Sequence, residues 1–345
     1  MGKVAILSID GGGIRGIIPG TILQVIEEKI QEKTKNHDAR LVDYLDFVAG
    51  TSTGGILGMG MLMPDPLEAG KPKFKMKEVV GLYLQYGAEI FKKPFGHKIR
   101  SFFGIREEKY PNGNLLKALN KYFGDVYLSE LLKPCIFTAY DIENRNAFFF
   151  KQVKAKVDTA YDFYVRDLAQ ATAAAPTYFE AALIQSKFGE KFPLIDGGVF
   201  ANNPAMCAYA EARKYTFGPI QNPTSKEMLL ISLGTGSVKR PYPFQKARKF
   251  GLVQWIKPLI DIMMSGNSET VSHQLSWLFD ASGNNEGYIR IEPKLHLASS
   301  RMDDVSERNL TALKEAALKF VKDNPEKINN LVDKLISNKP DNHEN

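Results

Sequence analysis

The segment Leu45–Gly55, reading LDFVAGTSTGG, restricts the fold more than any other stretch of this chain. Leu45-Asp46-Phe47-Val48-Ala49 is a short, mostly apolar run that reads as a buried strand. It ends in Gly50-Thr51-Ser52-Thr53-Gly54-Gly55, and an apolar, glycine-tolerant segment follows that can form a helix. Gly50, Ser52 and Gly54 spell G-x-S-x-G. A strand that turns sharply into a helix brings its backbone close to itself, so the positions flanking the turn must be small. The apex residue then projects its Oγ above the sheet, at the positive end of the new helix. An attacking serine fits that position. A Gly/Ser/Thr turn without chemistry fits it as well, because three fixed positions make a short motif.

The glycine loop near the start has the same strand-loop-helix context. Val4 to Ile9 is a continuous apolar run, as expected of a central parallel strand covered on both faces. Asp10-Gly11-Gly12-Gly13-Ile14-Arg15-Gly16 follows, and then Ile18, Ile22, Val25, Ile26 and Ile30 recur at helical spacing. Gly11, Gly13 and Gly16 formally match the dinucleotide fingerprint. That fingerprint also wants an acid about 20 positions on, at the end of the next strand. Here the next strand ends in Gly50-Thr51-Ser52 instead. The other use of such a loop is to converge backbone N–H groups on a negative oxygen, which is what an oxyanion hole requires.

The 345 residues, 44% hydrophobic and 24% charged, supply a globular core within one large α/β unit. Cys135 and Cys207 form no C-x-x-C pair, which argues against a disulfide framework or a cysteine zinc site. No basic-then-apolar leader precedes Lys3, and no uncharged apolar run reaches about 18 residues. The expectation is a cytoplasmic protein, peripheral to the inner membrane face when active. A net charge of +6 is a mild excess that suits an anionic partner such as phospholipid or a nucleotide phosphate.

The rest of the chain supplies further elements. Residues 64–80, with Pro64, Pro66, Gly70, Pro72 and lysines, read as a solvated loop. Leu115–Phe123 reads as a helix. Cys135–Tyr140 and Ala147–Phe150 read as strands of a hairpin turning through Glu143–Asn146. Tyr164–Ala175 reads as a helix whose alanine run, ending at Ala175, allows close approach to the helix after Ser52. Phe192–Ile195 leads into Asp196-Gly197-Gly198, and Asn203-Pro204 forms a credible helix start. Met228–Leu233 is a further buried strand. Basic and aromatic residues mix at 91–112 and again at 239–258, and Ser306–Phe320 and Pro325–Ile336 read as amphipathic helices.

Three strand ends thus carry the glycine loop, Ser52 and Asp196. Strand C-termini of a parallel sheet lie along one edge, where open α/β sheets place their sites. Of the five histidines, His273 and His296 follow the acid in the order of an α/β-hydrolase triad, but neither stands in a glycine-flanked strand-end loop. A Ser52–Asp196 dyad is the simpler chemistry, with Asp196 as base toward the hydroxyl and then as acid toward the leaving alcohol. It requires no metal or cofactor.

Asp10–Gly16, Gly50–Gly54 and Asp196–Gly198, with Ala173–Phe179 and Asn202–Pro204, resemble in order and context the patatin-like phospholipases, from about residue 3 to residue 300. The resemblance implies a three-layer α/β/α sandwich with a mostly parallel sheet. It implies one domain over 1–345, with insertions near 91–112 and 239–270 and a helical segment at 306–338. It implies a Ser52–Asp196 dyad, and an oxyanion hole from the backbone of Gly12, Gly13 and Arg15. Gly11, Gly16, Gly50, Gly54, Gly197 and Gly198 serve the loops and the elbow. The implied substrate is the fatty-acyl ester of a membrane phospholipid. A narrower likeness, over Lys246–Leu275, is to bacterial patatin-like effectors of antiphage defence that a cyclic dinucleotide switches on. Partners expected on this reading are membrane phospholipid and, conditionally, a cyclic dinucleotide. DNA or RNA is not expected, and a homo-oligomer stays open. The competing reading is a non-catalytic storage or nucleotide-binding protein of the same fold.

Overall fold

The computed structural model describes residues 2–90, 110, 112–237 and 241–339. Strand β1 (Val4–Ile9) alternates its side chains between two cores, as a two-faced strand must. Ala5, Leu7 and Ile9 enter one core, and Val4 and Ile6 the other. Helix α1 (Ile17–Thr34) returns along the first face. Strand β2 (Phe47–Thr51) and the wholly buried helix α2 (Thr53–Leu62) follow. Helices α3 (Met76–Ile90) and α4 (Asn112–Phe123) complete that flank.

The chain continues with hairpin strands β3 (Cys135–Asp141) and β4 (Asn146–Lys151), the single-turn α5 (Gln152–Ala155) and α6 (Val165–Thr172). Strands β5 (Ala182–Gln185) and β6 (Lys191–Asp196) lead to the short α7 (Gly198–Ala201) and to α8 (Ala205–Ala212). A two-stranded ribbon, β7 (Thr216–Phe217) with β8 (Ile220–Gln221), precedes the buried strand β9 (Met228–Leu233). Then come α9 (Phe244–Ala247), the 30-residue α10 (Leu252–Ala281), β10 (Tyr288–Ile291), α11 (Glu307–Asp323) and α12 (Pro325–Asn338).

Eight strands form one sheet in the order β10-β9-β1-β2-β3-β6-β5, with β4 also on β3. The pairs β10–β9, β9–β1, β1–β2 and β2–β3 are parallel, and β3–β4, β3–β6 and β6–β5 are antiparallel. Helices α8 and α10 cover the face that carries Val4, Ile6, Phe47 and Ala49, and α1 to α6, α11 and α12 cover the opposite face. This is the three-layer sandwich with a mostly parallel sheet.

The sequence-based elements survive with three changes. β2 extends to Thr51, so the turn begins only at the nucleophile position. Residues 76–80, read as loop, are the start of α3. Met76, Val79, Val80 and Tyr83 begin its apolar face, and buried Glu27 on α1 accepts the Met76 N–H at 2.9 Å and the Leu41 N–H at 2.9 Å, so a distant carboxylate caps the helix start. The third change is the alanine run, which leaves the helix after Thr172 because the carbonyls beyond it bond elsewhere and Pro176 disfavours helix at Ala175. Residues 91–109 and 111, which include His97, together with Lys239, Arg240 and His343, lie outside the described residues.

Glu27→Ala strands two buried amides and is expected to destabilise the fold by about 2–4 kcal/mol. Urea unfolding of the two proteins measures this directly.

Candidate active site

The geometry of the site begins on β3. Strand β4 occupies one edge of β3 from Ile136 to Asp141. The other edge is shared. β2 pairs with Cys135–Thr138 in parallel, and β6 pairs with Ala139–Asp141 antiparallel. Thr51 therefore sits opposite Thr138 and Asp196 opposite Ala139, the next position along. Two strands running toward each other meet end to end, and Ser52 and Asp196 are the residues where they meet. The expectation that Asp196 ends a parallel strand is corrected here: its strand is antiparallel and arrives at the same point from the opposite direction.

The turn after β2 is tight. Ser52 has φ 53° and ψ −123°, a region non-glycine residues avoid. A Cβ on Gly54 would stand 2.1 Å from the Ile9 carbonyl oxygen, so only glycine lets α2 start against β1. Surrounding bonds hold the strained turn. The Ser52 N–H donates to Thr172 Oγ1 at 2.9 Å, and that hydroxyl donates to the Thr138 carbonyl at 2.7 Å. Thr51 Oγ1 donates to the Ala201 carbonyl at 2.6 Å. The Tyr83 hydroxyl donates to the Thr53 carbonyl at 2.8 Å, and burial pushes that phenol far up, so it stays neutral.

Asp196 is 5% exposed. Its N–H donates to the Ala174 carbonyl at 3.0 Å, so the alanine run after α6 seats the acid just as Thr172 seats the serine. The carboxylate accepts the Gly198 N–H at 2.7 Å and shares the cavity with Ser52. Burial raises its pKa to about 6, against the lowering effect of Ser52 and of the Gly198 N–H. Asn203 Oδ1 accepts the Ala205 N–H at 3.0 Å as the expected cap, and the helix it caps starts one residue later than expected, at Ala205 rather than Pro204.

The glycine loop faces the pair. The Thr235 hydroxyl holds the Gly11 carbonyl at 2.9 Å, and the Gly11 N–H donates to the Asn202 carbonyl at 3.0 Å. The Ile14 N–H donates to Met302 O at 2.9 Å. Among the described residues, no acceptor takes the Gly12 or Gly13 N–H, and Gly13 sits at φ 59°. Arg15 differs from expectation. Its N–H closes the turn onto the Gly12 carbonyl at 3.3 Å, and its side chain bonds the Gly12 and Gly236 carbonyls, each at 3.3 Å. Arg15 braces the loop rather than offering a free amide.

One part of the site had no sequence signal. Arg290 on β10 grips Asp10 with two bonds, Nη1 to Oδ1 at 2.9 Å and Nη2 to Oδ2 at 2.7 Å, and its Nη2 also meets Glu292. Glu292 in turn accepts the Gly236 N–H at 3.0 Å. The pair lies 280 residues apart in sequence, so nothing local announces it. Ser268 on α10 adds a bond to Asp10 at 3.3 Å, and Asn267 accepts the Asn203 N–H at 3.1 Å.

Gly12, Gly13, Ser52 and Asp196 open onto one cavity of about 150 Å³ that reaches solvent. Its walls are almost entirely apolar, with Ile56, Leu82, Leu119, Phe179, Ile260 and Met263 prominent. No histidine of the described residues lines it. His273 instead packs edge-on against Trp277 on the outer part of α10. Among the described residues no cluster of three or more potential metal ligands occurs, and no helix is long and apolar enough to cross a membrane.

Residues 7–209 match the sequence profile of the family described as patatin-like phospholipase. The chain belongs to that family. Patatin-like protein 1 of Arabidopsis thaliana is 33% identical over 92% of this chain and 81% of its own length. Patatin-08 of Solanum tuberosum is 33% identical over 94% and 86%. A third relative, also from Solanum tuberosum, is 32% identical over 99% of the chain and 89% of its own length, and is named probable inactive patatin-3-Kuras 1. The family is one of lipid acyl hydrolases, and its members include proteins named as inactive.

Two stability measurements probe this patatin-like site. Arg290→Met leaves the Asp10 carboxylate buried without its cation and is expected to cost about 3–5 kcal/mol. Asp196 has the opposite sign. Because burial lifts its folded pKa from 3.8 to about 6, the stability linked to its proton is complete in acid and lost as pH rises through that window. Asp196→Asn stays neutral. It is expected to match the parent near pH 3 and to exceed it by about 2–3 kcal/mol at pH 8, read from urea unfolding at the two pH values.

Proposed function

We propose that this protein hydrolyses fatty-acyl esters of membrane glycerophospholipids through a Ser52–Asp196 dyad. The observation that carries the reading is Ser52, at the end of β2, and the buried Asp196, at the end of β6, abutting on β3 and lining one apolar cavity. An acyl chain fills the cavity with its carbonyl carbon above Ser52. Oγ attacks that carbon as its proton passes to Asp196. The negative oxygen of the tetrahedral intermediate lies against the Gly12 and Gly13 N–H groups, each such donor contributing about 3 kcal/mol in the transition state. The intermediate collapses, the ester C–O bond breaks, and Asp196 returns the proton to the leaving alcohol. Water then attacks the acyl-enzyme, Asp196 takes its proton, and the fatty acid departs as Ser52 regains the proton. A carboxylate near pKa 6 is a stronger base than an ordinary aspartate and is still ionised at neutral pH.

Metal-free chemistry suffices for each of these steps. The antiphage reading adds control by a cyclic dinucleotide, and the exposed cations Lys246, Arg248 and Lys249 are what would favour a phosphate ligand. The non-catalytic alternative has its parallel in the relative named as inactive.

Acyl release from phospholipid vesicles tests these readings. Ser52→Ala and Asp196→Asn are each expected to lose activity by about 10³-fold or more. The parent's kcat/KM is expected to fall about tenfold per pH unit below about 6, because a protonated Asp196 cannot accept the serine proton. A flat profile, or an unimpaired Ser52→Ala, would sink the dyad, and no acyl release by any sample would leave the binding-protein reading. Activity seen only after a cyclic dinucleotide is added would establish the gated form.

A further inference from the structure

We propose that the segment Tyr242–Met263 is the surface by which this protein docks on an anionic lipid bilayer. That it also delivers acyl chains to Ser52 rests on the hydrolase reading above; the docking itself does not.

Helix α10 has two apolar faces in its first half. One faces the protein: Ile260, Met264, Val271 and Leu275 recur at steps of four or seven and pack inward. The other faces water. Leu252 is 91% exposed, Val253 73% and Ile256 48%, and Leu259 and Met263 follow on the same side. A helix apolar all round belongs inside a core or against a partner. This one is firmly anchored only in its second half, where Asn267 and Ser268 hold the active-site loops. Phe244, 72% exposed, extends the patch into the preceding segment. That segment stays beside the helix through the Tyr242 hydroxyl, which donates to Asp261 at 2.9 Å, and through the Phe250 and Trp255 rings at 5.4 Å.

Two observations choose a bilayer over another cover. Charge is the first: Lys246, Arg248 and Lys249 are exposed among these apolar side chains, and the single acid of the segment, Asp261, already bonds Tyr242. Exposed apolar groups, a half-exposed tryptophan and flanking cations are the composition that settles at an anionic lipid interface. Continuity is the second. Ile260, Met263 and Met264 of the same helix form part of the cavity wall above Ser52. An acyl chain leaving a bilayer in contact with Leu252 and Ile256 would move along one continuous apolar path to the nucleophile, without crossing water.

Binding is measured on the Ser52→Ala protein, which leaves the vesicles intact, with Trp277→Phe added so that fluorescence reports Trp255 alone. The probe is vesicles of phosphatidylcholine with about one-third phosphatidylglycerol. The expected result is a blue shift of Trp255 and sedimentation with the vesicles. Leu252→Gln with Ile256→Gln should weaken partitioning by at least about tenfold, since each side chain is worth a large apolar transfer. Lys246→Glu with Lys249→Glu should weaken it too, and added salt should mimic that loss. With Ser52 restored, the Gln pair should lose vesicle hydrolysis in parallel and keep hydrolysis of a soluble short-chain ester within about twofold. Binding unaffected by either pair would overturn the proposal, as would equal binding to pure phosphatidylcholine. A dimer in sedimentation that the Gln pair dissolves, without vesicle binding, would assign the face to a second copy and overturn it as well. A parent inactive on every ester would remove the hydrolase reading while leaving the binding result to stand or fall by itself.

Discussion

The shared edge of β3 is the constraint on which the site depends. A strand has only two edges, and β4 takes the whole of one. β2 and β6 must divide the other, so their ends abut between Thr138 and Ala139. Ser52 and Asp196 come from segments 144 positions apart in the chain, yet adjacent ladder positions fix their separation. Thr138 is the hinge of this arrangement: its hydroxyl meets Thr51, its carbonyl takes Thr172, and Gly197 passes close enough that any Cβ would strike it.

A site assembled this way is costly to hold. Ser52 sits in a disfavoured backbone region and Asp196 is buried where its charge is poorly solvated, each contributing a destabilisation of order 1–3 kcal/mol. The surrounding structure supplies the compensation in fixed hydrogen bonds. Thr172, Ala174, Gly198 and Tyr83 each satisfy a backbone or side-chain group of the elbow or the acid. The glycine loop is held similarly from outside by Arg290, Thr235 and Ser268. Rigid support lets the Gly12 and Gly13 amides wait unpaired, and an unpaired donor facing a cavity is what a developing oxyanion needs.

Helix α10 joins the chemistry to the surroundings. Its second half carries Asn267 and Ser268, which touch the loops that follow β6 and β1, and its first half forms part of the cavity wall. What presses on the exposed half is thus mechanically continuous with the loops that shape the site. Pro258 removes one hydrogen bond within the first half, giving the first turns a weaker tie to the rest.

Much of the site was legible in the sequence because its signals are local. A glycine-flanked serine after an apolar run, a triple glycine after β1 and an Asp-Gly-Gly after a third apolar run each reflect a backbone that must turn tightly or approach another chain. Side-chain size at adjacent positions encodes that need. The two-core alternation of β1 and the amphipathic α11 and α12 were legible for the same reason. The direction of β6, the Asp10–Arg290 pair, the capping of α3 by Glu27 and the engagement of the Arg15 amide were not. Each depends on groups that meet only after the chain has folded, and single buried polar contacts leave no periodic trace. The sequence alone determined which residues could do chemistry, since that follows from residue type and local turn geometry. The tertiary structure decided which of them meet, how far Asp196 is desolvated and which amides remain free, because those depend on three-dimensional neighbours.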